Sequence, residues 1–394
     1  MILGHHIALD LTEAQEAYCR RAAGTARCTY NWALAAWKHE YEAGEHPTAL
    51  GLKKQWHAIK HAQFPWVAAV HKDANQQPCT HLGQAFQKFF RREAAYPTCK
   101  KQGQHDRFYV SNDQCTFQGK SLRLPVLGRV RMHEALRCTG KVMSVTVSRM
   151  AHRWFARVAV STPTTPLPCE HQAVVGVDLG VLRLVTLSAG ESVEGPQPLR
   201  KWAKVLRRCR KRLSRQVKGA AHWVKAQQRL ARLHYRIACQ RADSLHKLTT
   251  DLVRRFGTVV IEELHVKGMV RNHHLARALS DMGFGTFRRF LTYKAERAGV
   301  MVVVADRWFP SSKTCSQCGA LHKTLTLQDR HVQCAACGFV GDRNLNAAIN
   351  LSKRPTAGGE VTPVDIAALT GASGLRETVV GEAGTIESAL LYTS

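Results

Sequence analysis

Acidic residues are scarce in this chain. Its 394 residues include 29 Asp and Glu against 57 Lys and Arg, a net charge of +28. A field of that sign draws polyanions, of which a nucleic-acid backbone is the commonest; non-specific adhesion to polyanions is the plain alternative. Long apolar runs are missing too. None approaches the ~18 residues of a membrane span, which excludes a transmembrane helix and weakens a membrane-surface role. The opening MILGHHIALDLTEAQ has neither a basic n-region nor an apolar h-region, so no secretory signal is expected. There is no GxxxxGKS or GxxxxGKT loop, no GxSxG elbow and no HExxH pair, which removes support for NTP hydrolysis and serine-esterase chemistry. A disulfide framework is also unsupported. The thirteen cysteines are odd in number, and nine of them have no regular spacing. That pattern suits a reducing cytoplasm.

The other four cysteines are ordered. Cys315-Ser-Gln-Cys318 and Cys334-Ala-Ala-Cys337 are separated by fifteen residues, and a glycine, Gly319 or Gly338, follows each pair. Two such knuckles predict one tetrahedral structural Zn²⁺, with each glycine where the backbone turns tightly. Five residues after Cys337, an Asn-rich segment begins: Asp342-Arg-Asn344-Leu-Asn346-Ala-Ala-Ile-Asn350. The knuckles and that segment are therefore fixed to one another.

The hydrophobic period changes along the chain. Residues 1–10 read as a strand. Thr12 with Gln15 makes a capping box that should open a helix to about Tyr41. Pro47, Pro65, Pro78 and Pro97 punctuate further helical pieces, in which Phe86, Phe89 and Phe90 are read as core. From about Arg107 to Val160 short alternating runs predict a small antiparallel β-domain of a kind that can close as a barrel. Residues 161–168 read as a linker. Buried strands are then expected at Val174–Gly180, Leu182–Leu187, Gly257–Leu264 and Val300–Val304, with a helix at Gly285–Ala298.

Residues 200–247 hold sixteen Lys or Arg and one Asp, a net of +15. Leu206, Leu213, Val217, Val224, Leu230, Leu233 and Ile237 keep helical spacing, so two packed amphipathic helices are expected, turning at Lys218-Gly219. Their basic side chains, Arg207, Arg208, Arg210, Lys211, Arg212, Arg215 and Lys218 foremost, are the candidate phosphate contacts. Three acidic positions complete the set: Asp178 and Glu262 at the ends of buried strands, and Asp342 opening a helix with Asn344 beside it. An acid at a strand end is most often a turn former or a cap. Three converging on one point would instead hold two Mg²⁺ about 3.5–4 Å apart and hydrolyse a phosphodiester. The all-oxygen ligand set favours Mg²⁺ over Zn²⁺ there.

These motifs, in this order, resemble the TnpB/OrfB family of insertion-sequence proteins. Leu11-Thr-Glu-Ala-Gln15 with Arg27-Cys-Thr-Tyr-Asn31-Trp is similar to the family's N-terminal signature. Val175-Gly-Val-Asp178-Leu-Gly180 and Val260-Ile-Glu262-Glu263-Leu resemble its first two nuclease motifs. Trp308-Phe-Pro-Ser-Ser-Lys-Thr-Cys315 resembles the approach to its zinc ribbon, and Gly341-Asp-Arg-Asn344-Leu-Asn346 its third nuclease motif.

The resemblance implies an RNA-guided DNA endonuclease of a transposable element, with guide RNA and target DNA as partners and no membrane, acting as a monomer or a dimer with its RNA. The implied fold is α/β plus a small β-barrel. Residues 1–10 and 104–168 would form a β-barrel wedge domain and 11–103 a helical recognition insert. Residues 169–306 and 339–351 would be an RNase H-like (RuvC) domain, 307–338 an inserted zinc ribbon, and 352–394 a weakly structured tail. Asp178 and Glu262 fall on the first two catalytic carboxylates. At the third, the family's usual Asp-Arg-Asp-x-Asn reads Asp342-Arg-Asn344-Leu-Asn346, so Asn344 stands where the metal-binding Asp is expected. Asp342 substitutes, Asn344 suffices, or the protein is a nuclease-inactive RNA-guided DNA-binding repressor. A compact type V CRISPR effector is a further alternative.

Overall fold

The computed structural model describes residues 2–104, 106–163, 171–322, 325–326 and 329–353. These fall into two compact units, one ending at residue 163 and one starting at residue 171. The expected tail at 352–394 lies almost wholly outside the described residues, as does most of the linker.

The first unit begins with β1 (Ile2–Asp10) and α1 (Glu13–Glu42). The capping box forms as expected: Thr12 Oγ1 accepts from the Gln15 amide, and Gln15 Oε1 accepts from the Thr12 amide. α1 serves two cores. Its first half packs Tyr18, Cys19, Ala22 and Ala23 against the sheet, and its second half packs Tyr30, Leu34 and Trp37 against α2 (Ala49–Gln63) and α3 (Lys72–Phe90). The sequence reads Pro78 as a break between helical pieces; instead it lies buried inside α3. The lost backbone bond is offset by the burial of Cys79, Leu82 and Phe86 on the same helix. Phe90 departs from the core reading too: it is 58% exposed, because α3 ends there and the helix turns its last ring outward.

Six strands follow: β2 (Arg107–Ser111), β3 (Thr116–Gln118), β4 (Ser121–Leu124), β5 (Gly128–Met132), β6 (Lys141–Met150) and β7 (Arg153–Ser161). With β1 they form one sheet in the order β2-β6-β7-β1-β5-β4-β3. All its pairings are antiparallel.

The second unit is built on a five-stranded mixed sheet. β8 (Val174–Leu179) lies between β9 (Val185–Leu187) and β11 (Thr258–Glu262), with β10 (Ser192–Val193) and β12 (Met301–Ala305) outermost. β8, β11 and β12 are parallel, whereas β9 and β10 are antiparallel to their neighbours. β9 is shorter than the expected 182–187 strand, since Leu182 sits 64% exposed in the hairpin.

α4 (Pro198–Ser214) and α5 (Ala221–Arg255) pack through Leu206, Leu230, Leu233 and Ile237. Val217 and Val224 are exposed instead, because the chain turns between them and neither faces the partner helix. The hydrophobic pattern does not reveal α6 (Val266–Val270) and α7 (His273–Met282), which precede α8 (Phe284–Ala298). α7 supplies Asp281, whose buried carboxylate accepts the Leu199 and Arg200 amides at 2.9 and 3.0 Å. It caps α4 from about eighty residues away in sequence, where the local Gln197 makes no side-chain cap. β13 (His331–Gln333), β14 (Val340–Asp342) and α9 (Arg343–Ser352) complete the unit. Among the described residues no helix is long and apolar enough to cross a membrane.

Candidate metal centre and carboxylate site

The two cysteine knuckles have the same local geometry. Cys315 and Cys334 amides donate to Ala320 and Phe339 carbonyls, both at 2.8 Å. Gly319 and Gly338 amides donate back to Cys315 and Cys334 carbonyls at 3.0 and 2.9 Å. Both glycines adopt positive φ, +79° and +76°, with open space around them, so backbone conformation and not crowding selects glycine. The four sulfurs lie within 4.8 Å of one another. Cys315 and Cys337 Sγ are 3.7 Å apart, and Cys318 and Cys334 Sγ 3.5 Å. A tetrahedron with Zn–S bonds of ~2.3 Å has edges of ~3.8 Å, so the donor set fits zinc. The Cys337 amide pulls the Cys334 thiol down to about 7, whereas, against the pull of the Phe339 amide, the Cys318 sulfur pushes the Cys337 thiol up, so the free thiols share protons that a bound metal would displace.

The Asn-rich helix is bolted to the first knuckle. Asn346 Oδ1 accepts the Ser316 amide at 2.8 Å, and its Nδ2 donates to the Thr314 carbonyl at 2.7 Å. Asn350, one turn on, donates to the Ser311 and Thr314 carbonyls at 2.7 and 2.6 Å. Both amides are buried. The sequence marks this segment for its acid and leaves Asn346 and Asn350 without a role. Their i, i+4 spacing is the available signal, since it sets both on one helix face.

α9 in turn lies directly on β8. A Cβ on Gly176 would overlap the Ala348 carbonyl and the Ser352 amide, so only glycine lets the helix seat. Seated so, α9 brings its N-terminal end to the end of β8 that carries Asp178, close enough for Asp342 and Arg343 to act on its charge. Asn344 lies one helical turn before Ala348, on the face that meets β8.

Asp178 is the last residue but one of β8, and Glu262 the last of its parallel neighbour β11. Ile261 is the register partner of Val177, so the two acids stand one step further along, on the same face. The Glu262 carboxylate accepts the Leu179 amide, which ties it to the residue after Asp178. Glu263 alternates away and is exposed, which separates the two adjacent glutamates. Burial, with the Glu262 charge beside it, pushes Asp178 up to about 7; burial also raises Glu262. Two half-buried carboxylates that resist ionisation together are a donor set that a divalent cation would neutralise, and oxygen-only ligands fit Mg²⁺.

Asp342 is differently employed. Its Oδ1 accepts the Asn344 and Leu345 amides at 2.8 and 3.0 Å, capping α9, while Oδ2 lies 3.7 Å from the Arg183 guanidinium. It therefore works as a helix cap, the ordinary reading of such an acid.

The candidate phosphate contacts line the outer side of the α4–α5 hairpin. Arg207, Arg208, Lys211, Arg212, Arg215 and Lys218 are exposed. Arg210 differs: it is half-buried and its charge acts on His234.

Three segments of the chain match known protein families. Residues 157–273 match the OrfB/IS605 family, described as a probable transposase; 284–351 match the TNB domain of Cas12f1-like proteins; and 1–46 match a helix-turn-helix domain. Residues 2–46 hold a strand and one unbroken helix, α1. A protein named "Putative RNA-guided DNA endonuclease" from Streptomyces pristinaespiralis is 36% identical over 353 residues, 86% of each chain. "Putative RNA-guided DNA endonuclease InsQ" of Escherichia coli is 33% identical over 359 residues, covering 86% of this chain and 88% of that one. A solved Cas12f1 complex with guide RNA and target DNA aligns with a TM-score of 0.56 at 15% identity, over 87% of this chain and 83% of that one, a likeness of fold.

Proposed function

The chain belongs to the OrfB/IS605 (TnpB) family, and from that membership we propose that it is an RNA-guided DNA endonuclease hydrolysing phosphodiesters of a target strand. The observation that carries the reading is the pairing of Asp178 with Glu262 on adjoining strand ends beneath the N-terminal end of α9. We read the five-stranded sheet with its helices as the RNase H-like nuclease domain and the seven-stranded sheet as the β-barrel wedge domain. Residues 11–103 are the recognition insert, and 307–338 the zinc ribbon. The protein works in the cytoplasm with guide RNA and target DNA. In this division of labour base pairing reads sequence, and the protein reads backbone shape and a short flanking motif.

Asp178 and Glu262 would hold the catalytic Mg²⁺, with Asn344 at the third position. When bound, the cation supplies charge neutralisation for the attacking and leaving oxygens of the displacement. The protein's own part is positional. Parallel register fixes the two carboxylates side by side, and the Leu179 amide orients Glu262. The exposed arginines and lysines of α4 hold the phosphates of the guide–target duplex. Cys315, Cys318, Cys334 and Cys337 would hold Zn²⁺, which would stiffen the ribbon, and Asn346 and Asn350 tie that ribbon to α9.

One observation favours a second reading, a nuclease-inactive DNA-binding repressor. Asn344 brings no charge, and Asp342 is committed to its cap and to Arg183. The test is cleavage of a matched, motif-flanked duplex with Mg²⁺ by the protein purified with its native RNA. Cutting that disappears in Asp178→Ala supports the nuclease. Tight binding without cutting, unchanged by added metal, establishes the repressor. Asn344→Asp should raise cleavage by increasing metal affinity if the amide limits it.

A further inference from the structure

Among the described residues no large apolar side chain is more exposed than Trp308, at 81%. The turn that carries it is well held. The Trp308 amide donates to Asp306 Oδ1 at 2.8 Å, and the Phe309 amide to the Asp306 carbonyl at 3.1 Å. The Ser311 amide donates to the Phe309 carbonyl at 2.8 Å. Phe309 points inward, against Val260, Val303, Ala305 and Leu351. The inward ring anchors the turn, and its neighbour is thereby held out in solvent, at the cost of leaving a large apolar surface wet. The Arg307 guanidinium lies over the Trp308 ring, 5.3 Å from its centroid, so one face is backed by a cation while most of the ring stays open.

Position gives the ring its meaning. The turn leaves directly from the end of β12, and Ala305, its last residue, is the register partner of Glu262. Asp178 lies one residue from the end of β8, the strand on the other side of β11. Trp308 thus projects three residues beyond the sheet edge at which both carboxylates stand. An exposed indole beside an arginine suits a polymer of stacked bases and phosphates, since every base offers a π-face whatever the sequence.

We propose that Trp308, backed by Arg307, is a stacking platform for an unpaired base of the DNA strand being cut, holding the adjoining phosphodiester over Asp178 and Glu262. This rests on the nuclease reading for its substrate, and the ring is a positioning residue, since it touches a base and not the reacting atoms.

Two measurements test it, both on the full chain assembled with its RNA. In the first, cleavage kinetics compare wild type, Trp308→Ala and Trp308→Phe. Loss of one stacked base should raise KM between about 5- and 150-fold with a smaller change in kcat. Trp308→Phe, which keeps a ring, should recover most of the loss. Wild-type KM and kcat in Trp308→Ala would overturn the proposal while leaving the nuclease reading standing.

The second needs no cleavage. In an Asp178→Ala background, target DNA should quench tryptophan fluorescence, and the added Trp308→Phe change should remove a share of that quench. Should the wild type fail to cut, the nuclease reading fails and this titration still decides the stack. An identical quench with and without Trp308 overturns it. So does a Trp308-dependent quench that is complete with guide RNA alone, which would assign the ring to RNA.

Discussion

Gly176 of β8 touches the backbone of α9 at Ala348, with no room between them for a single carbon atom. That contact sets the depth at which the helix seats, and with it the approach of Asn344 and Asp342 to Asp178. Gly176→Ala should push α9 away and cost about 1–3 kcal/mol of stability by overpacking. Urea denaturation gives the loss, and cleavage should fall further than the stability change alone predicts. A fully stable, fully active Gly176→Ala protein would show that the seating is not needed.

Stability should depend on pH through Asp178. Folding raises its carboxyl from 3.8 to about 7, so the folded chain holds the proton more tightly than the unfolded chain. The stabilising contribution is present below pH ~4 and is lost as pH rises through about 7. At ~1.36 kcal/mol per pH unit it is on the order of 4 kcal/mol, reduced by the solvent the side chain still meets. Glu262 shifts in the same direction and adds to the trend. In metal-free buffer, wild type should therefore lose stability between about pH 4 and 7 relative to Asp178→Asn, in which the trend flattens. Mg²⁺ should restore stability above about pH 7. Parallel pH curves for the two proteins would refute this account.

The ribbon and α9 should loosen together. Asn346→Ala leaves the Ser316 amide and one of the Thr314 carbonyl's bonds without their partner, at about 1–3 kcal/mol. Zinc should then be released to a chelator faster than from wild type, and hydrogen exchange should rise in α9 as well as in the knuckle. Exchange confined to the knuckle would show that the two are not coupled.

The outer side of the α4–α5 hairpin should account for part of the salt dependence of binding. Replacing exposed Arg207, Arg208, Lys211 and Arg212 by Gln should reduce the slope of log Kd against log salt by about 1 for each phosphate left without its cation. Because these side chains are solvent-exposed, the melting temperature should hardly move. An unchanged slope would place the nucleic acid elsewhere.

Much of the framework is legible in the chain because its causes are local. The Thr12–Gln15 box starts α1 through hydrogen bonds three residues apart, and each CxxC-Gly turn closes within six residues. Hydrophobic runs mark β8, β11 and β12, and charge density marks the α4–α5 hairpin. Where the expectations miss, the cause is packing. Pro78 inside α3, the outward Phe90, and the solvated Val217 and Val224 depend on what the neighbouring elements cover, which periodicity cannot report. No hydrophobic period marks α6 and α7.

The carboxylate site divides the same way. Sequence alone determined which acids end strands, which cysteines pair, and that Asn344 stands where a charge is expected. Only the tertiary structure decided the employment of near-identical residues. It set Glu262 beside Asp178 and Glu263 in solvent, committed Asp342 to a helix cap, and turned Asn346 and Asn350 into fasteners for the knuckle. The physical reason is that a side chain's job follows from which backbone amides and charges surround it. Here those come from segments as far apart as β8 and α9, and parallel register and the bare Cα of Gly176 bring them together.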